Sequence, residues 1–160
     1  MPETALVAAL VLSGLSAGLF YGWRVSVIPG TRRVSSSAYV ETMQQINVAI
    51  INPAFLVVFT ATPAVMAIAA GLHFADDAAD AGWLLVAATI VYATTTIATT
   101  AARNIPLNDA LDAFDLDGAS GPEIDASRER YEGPWNRWHD VRTVSSVVAF
   151  TLVAIAAVSS

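Results

Sequence analysis

The chain contains no cysteine and no lysine. The first absence excludes disulfides and thiolate metal sites. The second makes all eight basic residues arginines, set against fourteen acidic residues for a net charge of −6. Nucleic-acid binding wants a basic face that neutralises phosphates, so no nucleic-acid partner is expected. Charge is missing in a third way. Four stretches, residues 5–23, 53–72, 82–102 and 143–158, hold no Asp, Glu, Arg or His at all.

What fills those stretches is apolar. The chain is 55% hydrophobic, and its mean hydropathy of +0.55 is high for a water-soluble domain. A helix of about 20 apolar residues crosses the hydrocarbon core of a bilayer. Inside lipid every backbone N–H and C=O must find its partner within the protein, which leaves helices as the economical solution. The reading is all-α: a single membrane domain over residues 1–160, built as a four-helix transmembrane bundle with short amphipathic helices on the cytoplasmic side. The connections there are residues 24–52 and 103–142. The first run carries Glu3 in place of a basic n-region and is long for a signal h-region, so it reads as a span rather than a cleaved leader.

The arginines set the orientation. Arg24, Arg32 and Arg33 follow the first span; Arg103, Arg128, Arg130, Arg137 and Arg142 lie between the third and fourth. The loop holding His73, Asp76, Asp77 and Asp80 has none. The positive-inside rule then puts both termini outside. Arginine without lysine suits a GC-rich or salt-adapted prokaryote, so the expected place is its plasma membrane, multi-pass, with the lipid bilayer as the first partner. Tyr21, Trp23 and Trp83 sit where interfacial aromatic anchors belong.

Several features modulate the spans. Gly14, Gly18 and Gly22 form a four-residue stripe that suits close packing inside the molecule. Thr89, Thr94, Thr95, Thr96, Thr99 and Thr100 can bond back to the preceding turn of the third span. Pro63 removes one hydrogen bond of the second span and is expected to kink it near Phe59. Residues 37–51 read as an amphipathic helix, and Asn47 and Asn52 lie where it meets the membrane and need partners. Asn104 and Asn108, four apart, share a face if helix persists there, although Pro106 argues for a cap or turn. Asp115-Leu116-Asp117-Gly118 is no calcium loop, because the first and last ligand positions would be Ala113 and Ile124. Pro134 looks like the first position of the last helix. Trp135, His139 and Arg142 then follow on one face, with Trp138 beside them. His73 and His139 fall at opposite ends of the bundle and cannot share an ion, so no metal site is expected.

These motifs, in order, resemble the anthrone oxygenase-like family of small four-helix membrane proteins. The resemblance is carried by Phe20-Tyr21-Gly22 with Pro29-Gly30, by Met43-Gln44-Gln45-Ile46-Asn47 with Asn52-Pro53, by Asn104-Ile105-Pro106-Leu107-Asn108, and by the run from Trp135 to Thr143. It implies oxidation of anthrones to anthraquinones with dioxygen and no established cofactor. On that basis His139 is the candidate base, Asn104, Asn108 and Arg142 complete the catalytic set by stabilising negative charge, and Asn47, Asn52, Trp135 and Trp138 bind an apolar aromatic small molecule. The other reading is a non-enzymatic bundle that binds a lipid, a quinone or a partner subunit, with the same polar residues holding the helices together. A transporter fits less well, because no span carries an acidic residue.

Single cysteines in this cysteine-free chain test the orientation. Arg33→Cys and Arg130→Cys are expected to label from the same side of the membrane, and Asp77→Cys from the other.

Overall fold

The computed structural model describes residues 1–159 and contains five helices: α1 (Pro2–Thr31), α2 (Ser36–Ala49), α3 (Pro53–Ala75), α4 (Ala79–Asp112) and α5 (Gly121–Ser159). Four of them, α1, α3, α4 and α5, are long and apolar enough to cross a membrane. They pack as a ring of neighbours, α1 on α3, α3 on α4, α4 on α5 and α5 on α1. Small residues let them approach: Ala9, Ala69, Ala88, Ala149 and Ala156 lie in one buried cluster with Leu6, Met66, Leu85 and Val153. Gly82 lies against Phe74 at the α3–α4 contact, where an added Cβ would come within 2.8 Å of the ring and push it aside.

The helices run past the apolar stretches. The third span continues as helix through Asn104 and Asn108 to Asp112. The segment expected as a connection over 103–142 shrinks to residues 113–120. Pro134 lies inside α5, which begins at Gly121 with Pro122 in the position that favours a helix start. The Glu123 carboxylate accepts from the Ser120 N–H and hydroxyl, which anchors that start. At about 1.5 Å per residue, α5 is about 58 Å long, roughly twice the hydrocarbon thickness.

Helix survives at Pro29 and Pro106 because a π-helical turn precedes each, Trp23–Val27 and Thr100–Asn104. A widened turn relaxes the clash between a proline ring and the carbonyl one turn back. A third π-helical turn, Tyr92–Ile97, lies in mid-span. At Pro63 the solution differs. The Phe59 carbonyl loses its helical donor and accepts instead from the Tyr92 hydroxyl at 3.4 Å. Tyr92 also bonds Ser16 of α1 at 2.7 Å, so one buried hydroxyl ties three helices.

A second buried cluster caps one end of the ring: Ile28, Tyr39, Val40, Met43, Leu111, Tyr131 and Trp135. It explains α2, whose buried Tyr39, Val40 and Met43 face α4 and α5. Arg128 locks this end. Its guanidinium donates to the Val34 and Thr31 carbonyls at the end of α1, bonds Glu132 at 2.7 Å, and lies 4.6 Å from the centre of the Tyr39 ring. Contacts gather Arg24 with Asp140, Arg32 with Glu132, and Arg103 with Trp138 at the same end.

Three local expectations change. Gly14 meets Phe150, but Gly18 and Gly22 face open space, so the glycine stripe is only partly used inside the molecule. His73 is no loop residue: it is buried in the last turn of α3 and pairs Nδ1 with the Ala69 carbonyl at 2.8 Å. Trp23 does not face outward as an anchor but packs 6.0 Å from Trp135, whereas Tyr21 and Trp83 are exposed.

Tyr92→Phe leaves the freed Phe59 carbonyl and the Ser16 hydroxyl without their shared partner. It is expected to destabilise the fold by about 1–3 kcal/mol, read as a lower thermal midpoint in detergent with the helical circular dichroism unchanged.

Candidate functional site

The two buried clusters meet around a cavity of about 270 Å³. All four long helices and α2 contribute to its lining. Its walls are rings: Phe20 and Trp23 from α1, Phe55 and Phe59 from α3, Trp135 from α5. Phe55 and Phe59, one turn apart, stack with centroids 5.3 Å apart. Trp135 stacks on His139 at 5.0 Å with the planes 9° apart, and Phe20 meets the same imidazole edge-on at 5.7 Å. Its polar groups are Asn47, Thr100, Asn104, Asn108, His139 and Arg142.

The sequence places these groups by turn geometry. Trp135, His139 and Arg142 share a face of α5, as their spacing predicts. On α4 the inward residues are Tyr92, Thr96, Thr100, Asn104 and Asn108, a strict four-residue spacing. In a regular α-helix that spacing drifts by about 40° per step, or about 160° over the set. The π-helical turns at Tyr92–Ile97 and Thr100–Asn104 hold more residues per turn and cancel the drift. Tyr92 therefore reaches Ser16, Thr96 bonds Ser145 at 2.8 Å, Thr100 accepts from Arg142 at 3.2 Å, and Asn104 donates to the Trp135 carbonyl at 3.3 Å.

His139 and Arg142 form the centre. Nε2 of His139 lies 3.1 Å from the Phe20 carbonyl, and Arg142 Nη2 lies 3.2 Å from Nδ1. A carbonyl can only accept and a guanidinium can only donate. The partners thus assign a neutral imidazole with its proton on Nε2 and its lone pair on Nδ1. The Phe20 carbonyl also accepts from the Trp23 N–H of its own helix, so the imidazole uses its second lone pair. Arg142 is buried with no carboxylate in ion-pair contact among the described residues. Its guanidinium carbon lies 5.1 Å from the Phe20 ring centre and 5.3 Å from that of Trp135, a cation held by two π faces. Its Nε–H has no hydrogen-bond partner, and neither has Oδ1 of Asn104. Buried polar atoms left unpaired are rare, and here two of them belong to cavity-lining side chains.

The outer polar groups are more fully engaged. Asn108 Oδ1 accepts from Trp135 Nε1 at 2.8 Å and from the Tyr131 hydroxyl at 3.0 Å, and the indole donor fixes the orientation of the amide. Asn47 Nδ2 donates to Asp112 at 2.9 Å.

Of the eight residues singled out from the sequence, His139, Arg142, Asn104, Asn108, Asn47 and Trp135 line the cavity. Asn52 and Trp138 do not. Asn52 is the N-cap of α3: its Oδ1 accepts from the Phe55 N–H at 3.0 Å and its Nδ2 donates to the Ala49 carbonyl. The Trp138 ring lies between Arg103 and Arg137, at 5.1 and 5.9 Å. Phe20, Trp23, Phe55, Phe59 and Thr100 belong to the site without having been singled out for it; apolar rings within apolar spans carry no distinguishing signal. Among the described residues, no three His, Asp, Glu or Cys side chains gather as a metal site would require.

No curated protein and no solved structure matches this chain. A family model described as anthrone oxygenase matches residues 50–152, a segment that takes in Asn104, Asn108, Trp135, His139 and Arg142. That segment is well over half of the sequence, and the chain belongs to the anthrone oxygenase family.

Proposed function

We propose that the cavity binds a flat aromatic or phenolic molecule and that the chain catalyses its oxygenation by dioxygen without a dedicated cofactor. The observation that carries this reading is Arg142: a buried cation with no anionic partner among the described residues and one free N–H, on the wall of an aromatic-lined cavity. A structural network would pair that group; a site for a developing oxyanion leaves it available. The cavity volume lies just under the range of about 300–1,000 Å³ usual for drug-sized ligands, which suits a few fused rings.

An anthrone carries an acidic methylene conjugated through its rings to a carbonyl. His139 Nδ1 is the lone pair that takes the methylene proton, and it becomes free when Arg142 turns from the imidazole to the substrate oxygen. The resulting phenolate-like anion is held by Arg142 with the amides of Asn104 and Asn108. It gives one electron to dioxygen and recombines with it to a carbon-bound hydroperoxide, which recovers the proton. Loss of water then leaves a carbonyl. One methylene and one dioxygen become one carbonyl and one water. Trp135, Trp23 and Phe20 hold the rings flat during the exchange.

The second reading, a non-enzymatic bundle that holds a quinone, lipid or partner subunit, is supported by Asn47 and Asn108, whose contacts already bind helix to helix.

Purified protein is expected to consume dioxygen and form quinone absorbance from an anthrone. His139→Ala is expected to lower kcat by about 10²-fold or more, and Arg142→Gln by about 10²-fold. Undiminished turnover in His139→Ala removes the base; wild-type protein that binds anthrone without consuming dioxygen favours the binding role.

A further inference from the structure

The cavity has two unlike sides. At α2 the boundary carries one polar group, Asn47, which is buried. Asn47 lines the cavity, while its partner Asp112 lines a separate cleft of about 650 Å³ that also holds Glu41, Gln44, Asp115 and Asp117. That cleft is acidic and water-facing by composition. The Asn47–Asp112 hydrogen bond joins the two linings, and Asn108 is likewise held by Tyr131 and Trp135.

The other side is apolar and open. Among the lining residues, the exposed ones are aliphatic: Ile51 is 71% exposed, Ile105 46%, and Leu19 and Leu56 41% each. The chemical groups lie deep, with Asn104 at 1% and His139 at 2%. α3 packs along α4 as far as the π-helical turn Tyr92–Ile97 and parts from it beyond, so Leu56 at the start of α3 and Ile105 beyond that turn of α4 stand on either side of a gap. A mouth meant for water carries polar groups at its rim; branched aliphatic residues around an opening belong against acyl chains. Asn52 and Pro53 start α3 at this level, and the Arg103–Trp138 pair lies on the same end of α4 and α5, which marks the boundary of headgroups and hydrocarbon.

We propose that the cavity is entered sideways from the bilayer, between α3 and α4, and that its ligands are therefore membrane-dissolved flat aromatics rather than water-borne ones. This rests on the cavity being a ligand site, the reading given above. The acidic end of such a molecule goes in first, towards Arg142 and Asn104, and an apolar remainder trails into lipid past Ile105 and Leu56. The aqueous cleft behind Asn47 is not the route.

The test uses the full chain with Trp83→Phe and Trp138→Phe, which leaves Trp23 and Trp135, both on the cavity, as the only tryptophans. In nanodiscs of phosphatidylcholine brominated on its acyl chains, their emission is expected to drop relative to ordinary phosphatidylcholine, and anthrone is expected to relieve the quenching. Aqueous iodide is expected to change it little. Quenching by iodide and not by brominated lipid overturns the proposal. Should the double variant not fold, Ile105→Trp in the otherwise native chain narrows the mouth: the rate at which anthrone enters, read as the stopped-flow change in tryptophan emission on mixing with protein in nanodiscs, is expected to fall several-fold, and an unchanged rate overturns lateral entry. Quenching is read without turnover, so an inactive protein with lipid-quenched Trp23 and Trp135 sinks the oxygenase and keeps the portal, while an active one with iodide-quenched tryptophans does the reverse.

Discussion

A guanidinium in an apolar interior has to be solvated by whatever the protein supplies. Among the described residues no carboxylate is in ion-pair contact with Arg142; a threonine hydroxyl, an imidazole lone pair and two aromatic faces take that role. Each of these must arrive at the right height on a different helix, so the cation dictates much of the surrounding structure. His139 is turned by it, and the Phe20 carbonyl completes the turn from α1. Thr100 is delivered by α4. Neutral acceptors satisfy a cation only in part, and its Nε–H is left without a hydrogen-bond partner.

The backbone devices that make this possible are departures from regular helix. Prolines at 29, 63 and 106 each remove a donor, and each loss is absorbed differently: by widened turns at the first and last, by the Tyr92 hydroxyl at the middle one. The irregular turns lie on both sides of the cavity and supply Trp23, Thr100 and Asn104 to its wall. Irregular helix at membrane depth is tolerated where it borders a cavity or is buried in protein, and that is where it occurs here.

The long helices could be read from the sequence because the bilayer constraint acts on composition, and uncharged runs reveal it. The face formed by Trp135, His139 and Arg142 could be read for a similar reason: spacing on an unbroken helix is geometry. Asn104 and Asn108 were harder, since Pro106 argues locally against helix, and only the preceding widened turn lets it continue. Asn52 was legible as a residue in need of partners, but those partners are backbone groups of α2 and α3 rather than a ligand. Of the aromatic walls only Trp135 was legible. Phe55 and Phe59 look like any ring in a span, and their role depends on where α3 parts from α4. The extent of α5 was hidden by its charged first half, which is helical because it packs on α2 and the end of α1.

The four-residue rhythm of α4 has a consequence for how this sequence tolerates insertion and deletion. A π-helical turn is an α-helix with one residue too many. Losing a single residue such as Ala98 is met by one widened turn closing to regular helix, which leaves the residues beyond nearly in place. Gaining one finds no turn to close and swings everything beyond by about 100°, so that Asn104 and Asn108 point elsewhere while Tyr92 stays put. In α4 the count of residues, more than their polarity, keeps the amides in register with the arginine.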